Sequence, residues 1–347
     1  MTRKLAILLA IFGLGKFADA QDFRAYQIGN SLTVTATPSG SIENWLASTR
    51  GEILRRGHHI RCGQPLIHTL LNREAETCVN TIRGGNWFNA LSNFDDWDMI
   101  VFQPHPGISN LGDDVTAIKT WIALAEFSGN TADYYVMQGY PTRFDYGAKW
   151  NASIPNALHT PTAHADEYYQ HLMERVRAQN PNANIYLIPV GETFDLLDER
   201  LSLNPIEVNG MVLDGAEDLY RDDIHGNMQG GFASGAAIFA SLFGREVSAL
   251  NSTNSGNRYG SEEINWLPEL YALIHEAVYD AHVATPYAKQ LTSVSGDVDR
   301  NGQIDFSDIP PFVGVLLGRT YQEEADIDED GVVGFSDVTP FVGVLIR

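Results

Sequence analysis

The chain has 347 residues, 44% apolar and 19% charged, with 31 glycines and 15 prolines, a composition that excludes disorder, collagen and a polytopic membrane protein. Lys and Arg number 23 against 44 Asp and Glu, a formal charge of -21, so the overall field repels phosphate backbones and anionic lipid and nucleic acid is not an expected partner. The length exceeds what one core comfortably fills, which predicts two domains or one large domain with an appendage.

In chain order, the first segment reads as a signal peptide over residues 1–20. Arg3 and Lys4 precede an apolar run from Leu5 to Leu14, and Ala18-Asp19-Ala20 gives the small-x-small cleavage pattern, so a mature chain is expected to begin at Gln21. The run is too short to span a bilayer, and no later stretch is long enough either, so no membrane span is expected. Export implies an oxidising compartment, where the two cysteines, Cys62 and Cys78, are close enough in sequence to pair. A bridge closing so short a loop is worth roughly 3 kcal/mol; the alternative is two separate buried thiols.

Residues 21–288 alternate β-rich runs with helix-like stretches. Strands are predicted over 23–28, 58–62, 98–102, 133–137 and 184–190, and helices over 42–56, 114–127, 165–179, 230–243 and 262–281. This alternation predicts an α/β fold, a three-layer sandwich around a central parallel sheet, with its active site at the carboxyl ends of the strands. Residues 289–295 read as a linker. Residues 296–347 form an internal repeat, GDVDRNGQIDFSDIPPFVGVLLG and then ADIDEDGVVGFSDVTPFVGVLIR, offset by 29 residues between Asp297 and Asp326.

Two blocks carry chemistry. The first strand runs into Gly29-Asn30-Ser31-Leu32, and Asp222-Asp223-Ile224-His225 precedes a Gly- and Ala-rich helix. A serine hydroxyl becomes a useful nucleophile when an imidazole takes its proton, and the imidazole needs a carboxylate to fix its tautomer. Alternatively, Ser31 is a turn serine capping a helix and Asp222-Asp223 an acidic pair at a helix start. The two blocks together resemble the SGNH, or GDSL-like, hydrolases over residues 23 to about 245. That resemblance implies Ser31 as nucleophile, His225 as general base and then acid, and Asp222 as orienting carboxylate, with Asp223 at the wrong offset. It also implies oxyanion donors after the second and third strands. Gly63 matches the first by position. Where the family has Gly-x-Asn-Asp this chain has Gln103-Pro104-His105-Pro106-Gly107, so Gln103 is preferred as replacement donor, with His105 as the alternative. Gln138-Gly139-Tyr140 and Gly191-Glu192 also end strands. The six tryptophans, Trp45, Trp87, Trp97, Trp121, Trp150 and Trp266, offer stacking surface for sugar rings, though core positions are the commoner use.

In the repeat, Asp297, Asp299, Asn301, Gln303 (backbone carbonyl), Asp305 and Asp308 fall at positions 1, 3, 5, 7, 9 and 12 of a calcium-type loop. The second copy offers Asp326, Asp328, Asp330, Val332 (backbone carbonyl) and Asp337, with Gly302 and Gly331 at the sharp turns. The repeat resembles the duplicated type I dockerin module, which implies a small all-α tail holding structural Ca2+. It departs from the module at Pro310-Pro311, Pro340 and Gly334. The combined expectation is a secreted serine esterase acting on carbohydrate-linked acetyl or similar esters, its tail attaching to a cohesin-like or cell-surface partner. A non-catalytic extracellular carbohydrate-binding or scaffold protein on the same fold is the other reading.

Overall fold

The computed structural model describes residues 22–74, 82–92, 97–160, 163–208, 210–245, 247–259, 268–291, 295–298, 304, 306–318, 322–328 and 332–346. The expected signal peptide and Cys78 lie outside these residues, as do Asp299, Asn301, Gln303, Asp305 and Asp330 of the repeat.

One six-stranded sheet forms the centre: β1 (Asp22–Gly29), β2 (Ile53–Ile60), β3 (Ile82–Arg83), β4 (Met99–Phe102), β5 (Asp133–Met137) and β6 (Ile185–Ile188). Its order is β3-β2-β1-β4-β5-β6, parallel except for the short edge strand β3. A separate hairpin joins β7 (Ile206–Val208) to β8 (Met211–Leu213). The helices are α1 (Ser31–Ala36), α2 (Ser41–Arg50), α3 (Leu66–Leu71), α4 (Trp87–Ser92), α5 (Leu111–Phe127), α6 (Tyr146–Trp150), α7 (Asp166–Gln179), α8 (Val190–Leu203), α9 (Met228–Phe243) and α10 (Pro268–Ala284), followed by α11 (Ile309–Gly318) and α12 (Val338–Leu345). Helices α3, α4, α5 and α7 pack together in one layer, and α1, α2, α8, α9 and α10 in another. Buried Ala25, Ile28, Ile100, Phe102, Val136 and Leu187 lie in the sheet between them, the near-continuous apolar character that two covered faces require.

Several boundaries differ from the predicted ones for identifiable reasons. Helix α2 stops at Arg50 because Gly51 takes a left-handed φ of 67° and its N–H closes on the Ala47 carbonyl, a common helix stop. Residues 53–56, predicted as helix, therefore begin β2. Arg56 is buried there, donating to Glu43 at 3.2 Å and to the carbonyls of Thr37 and Pro38. Opposite Tyr26, β2 carries Gly57, where a Cβ would stand 2.7 Å from the tyrosine ring. Helix α8 occupies a stretch with no predicted helix.

The parallel strands run 2-1-4-5-6, so chain direction across the sheet reverses between β1 and β4. Crevices at such reversals, beyond the carboxyl ends, are where open α/β sheets bind ligands. Gly29-Asn30-Ser31 leaves β1 and Gln103 leaves β4 at this point. The Asn30 side chain spans the crevice, donating to the Gln103 carbonyl at 3.3 Å and accepting from Leu32 N–H at 3.1 Å as the cap of α1. Gly29 has no room for a side chain, since a Cβ would meet Thr33 Oγ1 at 2.3 Å and Gln103 Cβ at 2.9 Å.

A buried polar chain anchors the loop after β4. Asp114, fully buried in α5, accepts from Tyr168 Oη at 2.8 Å and Ser109 Oγ at 3.2 Å, while Ser109 Oγ accepts from His105 N–H at 3.0 Å. Burial pushes the Asp114 carboxyl up to about 7, against the pull of its hydrogen bonds to Tyr168 and Ser109. A raised folded-state value means that the native protein holds this proton while the unfolded chain has released it. The contribution is therefore full below about pH 4 and lost as pH rises toward 7. Asp114→Asn, which cannot ionise, is expected to match the parent at pH 4 and gain on it up to pH 7, at a slope of at most about 1.4 kcal/mol per pH unit. Denaturant melts of both proteins at pH 4, 5.5 and 7 measure this; parallel curves would contradict it.

The repeat region has its own small core of Val298, Phe312, Ala325, Val333 and Phe341. Phe312 and Phe341 occupy equivalent places in the two copies and stack at 4.1 Å with their planes 7° apart. Among the described residues the region holds helices α11 and α12 with short 3-10 turns and no strand. The first residue of the expected linker is docked, with Lys289 Nζ donating to Tyr135 Oη at 2.9 Å and reaching Asp133 at 3.3 Å.

Candidate active site

Ser31 is the first residue of α1, half-buried at the chain reversal. His225 sits on a tight loop between Tyr220 and Gly226, which pair as a bridge. Tyr140 stacks on Phe194 at 4.3 Å and accepts Gly226 N–H at 3.3 Å, tying the loop to the end of β5. Tyr220 Oη donates to the Pro141 carbonyl at 2.7 Å. The Asp222 carboxylate receives Ile224 N–H at 3.0 Å and His225 N–H at 2.8 Å.

These supports bring together residues 194 positions apart. His225 Nε2 lies 2.9 Å from Ser31 Oγ, and His225 Nδ1 lies 3.0 Å from each Asp222 oxygen. With the proton on Nδ1 facing the carboxylate, Nε2 is free to accept from the serine. Desolvation pushes Asp222 up, but it is outweighed by Ile224 N–H, His225 N–H and the His225 ring, which hold the carboxyl at about 2. Asp222 is thus ionised throughout the range in which histidine titrates. The neighbouring Asp223 is exposed.

Small residues make this approach possible. Helix α9, which begins just after His225, packs directly on α1. Cβ atoms at Gly231 and Gly235 would stand 3.1 Å from the Thr35 carbonyl and 2.7 Å from the Ala36 carbonyl. The Gly- and Ala-rich composition of α9 is therefore a close-approach surface against the helix that carries Ser31.

Gly63 lies in the exposed turn after β2, at φ 66°, and Arg61 N–H of the same turn donates to the Gly29 carbonyl at 2.9 Å. Among the described residues neither Gly63 N–H nor Ser31 N–H has an acceptor. Gln103 does not serve as the sequence suggested. It is fully buried, its Oε1 facing Thr33 Oγ1 at 3.4 Å and its Nε2 donating to the Pro104 carbonyl, so its amide is spent within the β1/β4 junction. His105 is differently disposed. Its Nδ1 accepts Gly107 N–H at 3.1 Å, which leaves the ring proton on Nε2 as a donor. Burial holds this imidazole below its ordinary value, against the pull of a backbone hydrogen bond and with the nearby His225 ring pushing the same way as burial, which favours the neutral ring.

A cleft of about 570 Å³ opens beside Ser31, lined in part by Cys62, Arg221, Met228, Arg258 and Tyr259. Neither Gln138 nor Glu192 lines it; they bond to each other, Glu192 N–H donating to Gln138 Oε1 at 3.2 Å. Trp45, Trp87, Trp97, Trp121 and Trp150 are all buried in the core, and Trp266 lies outside the described residues. In the repeat, Asp326, Asp328 and Asp337 place carboxylate oxygens within 4.8 Å of one another. Asp337 also accepts N–H groups from Ile327, Asp328 and Gly334. Asp297 and Asp308 are both buried. Val332 stands at the position expected to offer its carbonyl.

Among the described residues no helix is long and apolar enough to cross a membrane. No protein-family model matches the chain, and no curated protein matches it. Among solved structures it is similar to a DUF4886 family protein from Bacteroides uniformis, at 16% identity and a TM-score of 0.52, covering 76% of this chain and 96% of that one. A protein provisionally described as an SGNH hydrolase, from Slackia heliotrinireducens, matches at 17% identity and a TM-score of 0.38 over 64% of this chain and all of the other. The first of these likenesses establishes a shared α/β fold built on a mostly parallel sheet.

Proposed function

We propose that the chain is an exported serine esterase that cleaves small acyl esters, acetyl or similar, from carbohydrate. What carries the reading is the unbroken line from Ser31 Oγ through the His225 ring to Asp222, with contacts of 2.9 and 3.0 Å. In this reaction Ser31 Oγ attacks the ester carbonyl while His225 Nε2 takes its proton. The same proton then passes to the departing alcohol, leaving an acyl-serine. Water attacks next, His225 takes its proton, and collapse releases the acid and returns a proton to Ser31. Ser31 N–H, Gly63 N–H and His105 Nε2–H receive the negative charge that develops on the carbonyl oxygen. A fluorophosphonate probe tests the reading, since labelling demands an activated hydroxyl. A folded protein left unlabelled at Ser31 would favour a non-catalytic saccharide-binding role, which the internal commitment of the Gln103 amide also suits.

The place given to His105 has its own test. His105→Ala is expected to lower kcat roughly 10²- to 10³-fold, the loss of one oxyanion donor, with KM little changed and the fluorophosphonate still attached to Ser31. Gln103→Leu serves as the comparison: its losses should appear as lowered stability of the β1/β4 junction. An unchanged kcat in His105→Ala removes it from the reaction.

The tail suits structural calcium. Carboxylates as close as those of Asp326, Asp328 and Asp337, two of them buried, repel one another unless a cation or proton joins them. Oxygen-only donors favour a hard ion such as Ca2+. Asp297, Asp308 and the remaining loop positions would hold a second ion in the first copy. A duplicated module of this kind commonly accompanies polysaccharide-degrading enzymes, which supports the carbohydrate assignment by analogy and a cell-surface or cohesin-like partner with it. The export segment and a Cys62–Cys78 bridge belong to the same extracellular reading.

A further inference from the structure

The cleft beside Ser31 carries positive charge on a strongly negative protein. Arg221 and Arg258 both line it, whereas the chain as a whole stands at -21. Arg258 is exposed and has no carboxylate within ion-pair distance among the described residues. Arg221 is also exposed, and among the described residues the carboxylate within its ion-pair distance is Asp222, at 3.5 Å, already engaged by His225. Two arginines lining one cleft offer planar hydrogen-bond forks for an anion. The space is also much larger than a two-carbon acyl group, which leaves room for the alcohol part of the ester.

We infer that the alcohol released by this enzyme carries a fixed negative charge, as the carboxylate of an acidic saccharide does, and that Arg258, together with Arg221, selects for that charge. The inference rests on the esterase reading and names its substrate class. The overall field opposes such a substrate at long range, so selection depends on short contacts inside the cleft. Arg221 also neighbours the orienting carboxylate, which makes Arg258 the cleaner position to change.

Two acetate esters of nearly equal shape provide the test, 4-acetoxybenzoate, which is anionic, and 4-acetoxybenzamide, which is neutral. The readout is the ratio of their kcat/KM values, each normalised to hydroxide-catalysed hydrolysis. The wild type is expected to favour the anion about tenfold or more. Arg258→Gln should abolish most of that preference, Arg258→Glu should reverse it, and Arg258→Lys should keep part of it. Binding of the product pair, 4-hydroxybenzoate and 4-hydroxybenzamide, to Ser31→Ala is followed in parallel by ligand-observed NMR. It should show the same preference and lose it when Arg258→Glu is added. Turnover of both esters with no preference for the anion, or a preference indifferent to Arg258, overturns the inference and leaves the esterase intact. If neither ester is cleaved but the benzoate still binds through Arg258, the esterase reading falls and charge selection stands.

Discussion

Ser31→Ala is expected to reduce turnover of 4-nitrophenyl acetate by at least about 10⁴-fold without altering the melt of the domain. In serine hydrolases the loss of the nucleophile or its base costs nearly as much as the loss of the whole triad, because the residues act as a unit. The side chain removed here is half-buried, and its hydroxyl contacts His225 Nε2, so alanine leaves only a small void. His225→Ala should fall nearly as far, and the double variant little further. Asp222→Asn should lose less, because the loop N–H groups of Ile224 and His225 that donate to the Asp222 carboxylate can still donate to an amide oxygen. Full turnover by Ser31→Ala would end the assignment. Independent, multiplicative losses for Ser31 and His225 would show that they do not work as a pair.

Removal of calcium is expected to have the second large effect, confined to the repeat. Among the described residues that region buries Val298, Phe312, Ala325, Val333 and Phe341 as its apolar core, too little for independent stability at about 50 residues. If the ion is held at a hundred times its dissociation constant, it contributes about 2.7 kcal/mol. For so small a unit that corresponds to a drop in Tm on the order of 10 °C or more on chelation. Differential scanning calorimetry with EDTA, then with calcium restored, should move one transition and leave the α/β domain's melt in place. Asp328→Asn should weaken the response of the second copy. A tail transition indifferent to EDTA would dismiss the metal.

What the sequence reveals here is mostly local. Gly29-Asn30-Ser31-Leu32 and Asp222-x-x-His225 are legible because a strand end, a helix cap and a three-residue offset are short-range features. The alternation of strands and helices is legible for a similar reason, since parallel strands buried on both faces leave long apolar runs. Errors arise where the deciding partner is distant. Arg55 and Arg56 interrupt the apolar run of β2, and only the contacts of Arg56 with Glu43, Thr37 and Pro38 explain a charge inside a strand. Gln103 looks like an amide donor until Thr33 and the Pro104 carbonyl are seen to occupy it. The tautomer of His105 depends on Gly107 N–H, a contact with no sequence signature. Arg258 belongs to no motif at all; it comes to line the same cleft as Ser31 through the folding of the chain between α9 and α10.

The glycine contact between α9 and α1 ties chemistry to foldedness. Nucleophile and base enter the domain from its two ends, and they are held in register by backbone pressed on backbone, pinned by the buried Tyr259, whose hydroxyl donates to the Ala36 carbonyl at 2.6 Å. A shift of one helix by the thickness of a methyl group would part the hydroxyl from the ring while leaving helicity untouched. Hydrolysis should accordingly disappear during warming before the far-ultraviolet dichroism changes, making turnover a more sensitive gauge of the native arrangement than any spectroscopic measure of helix content.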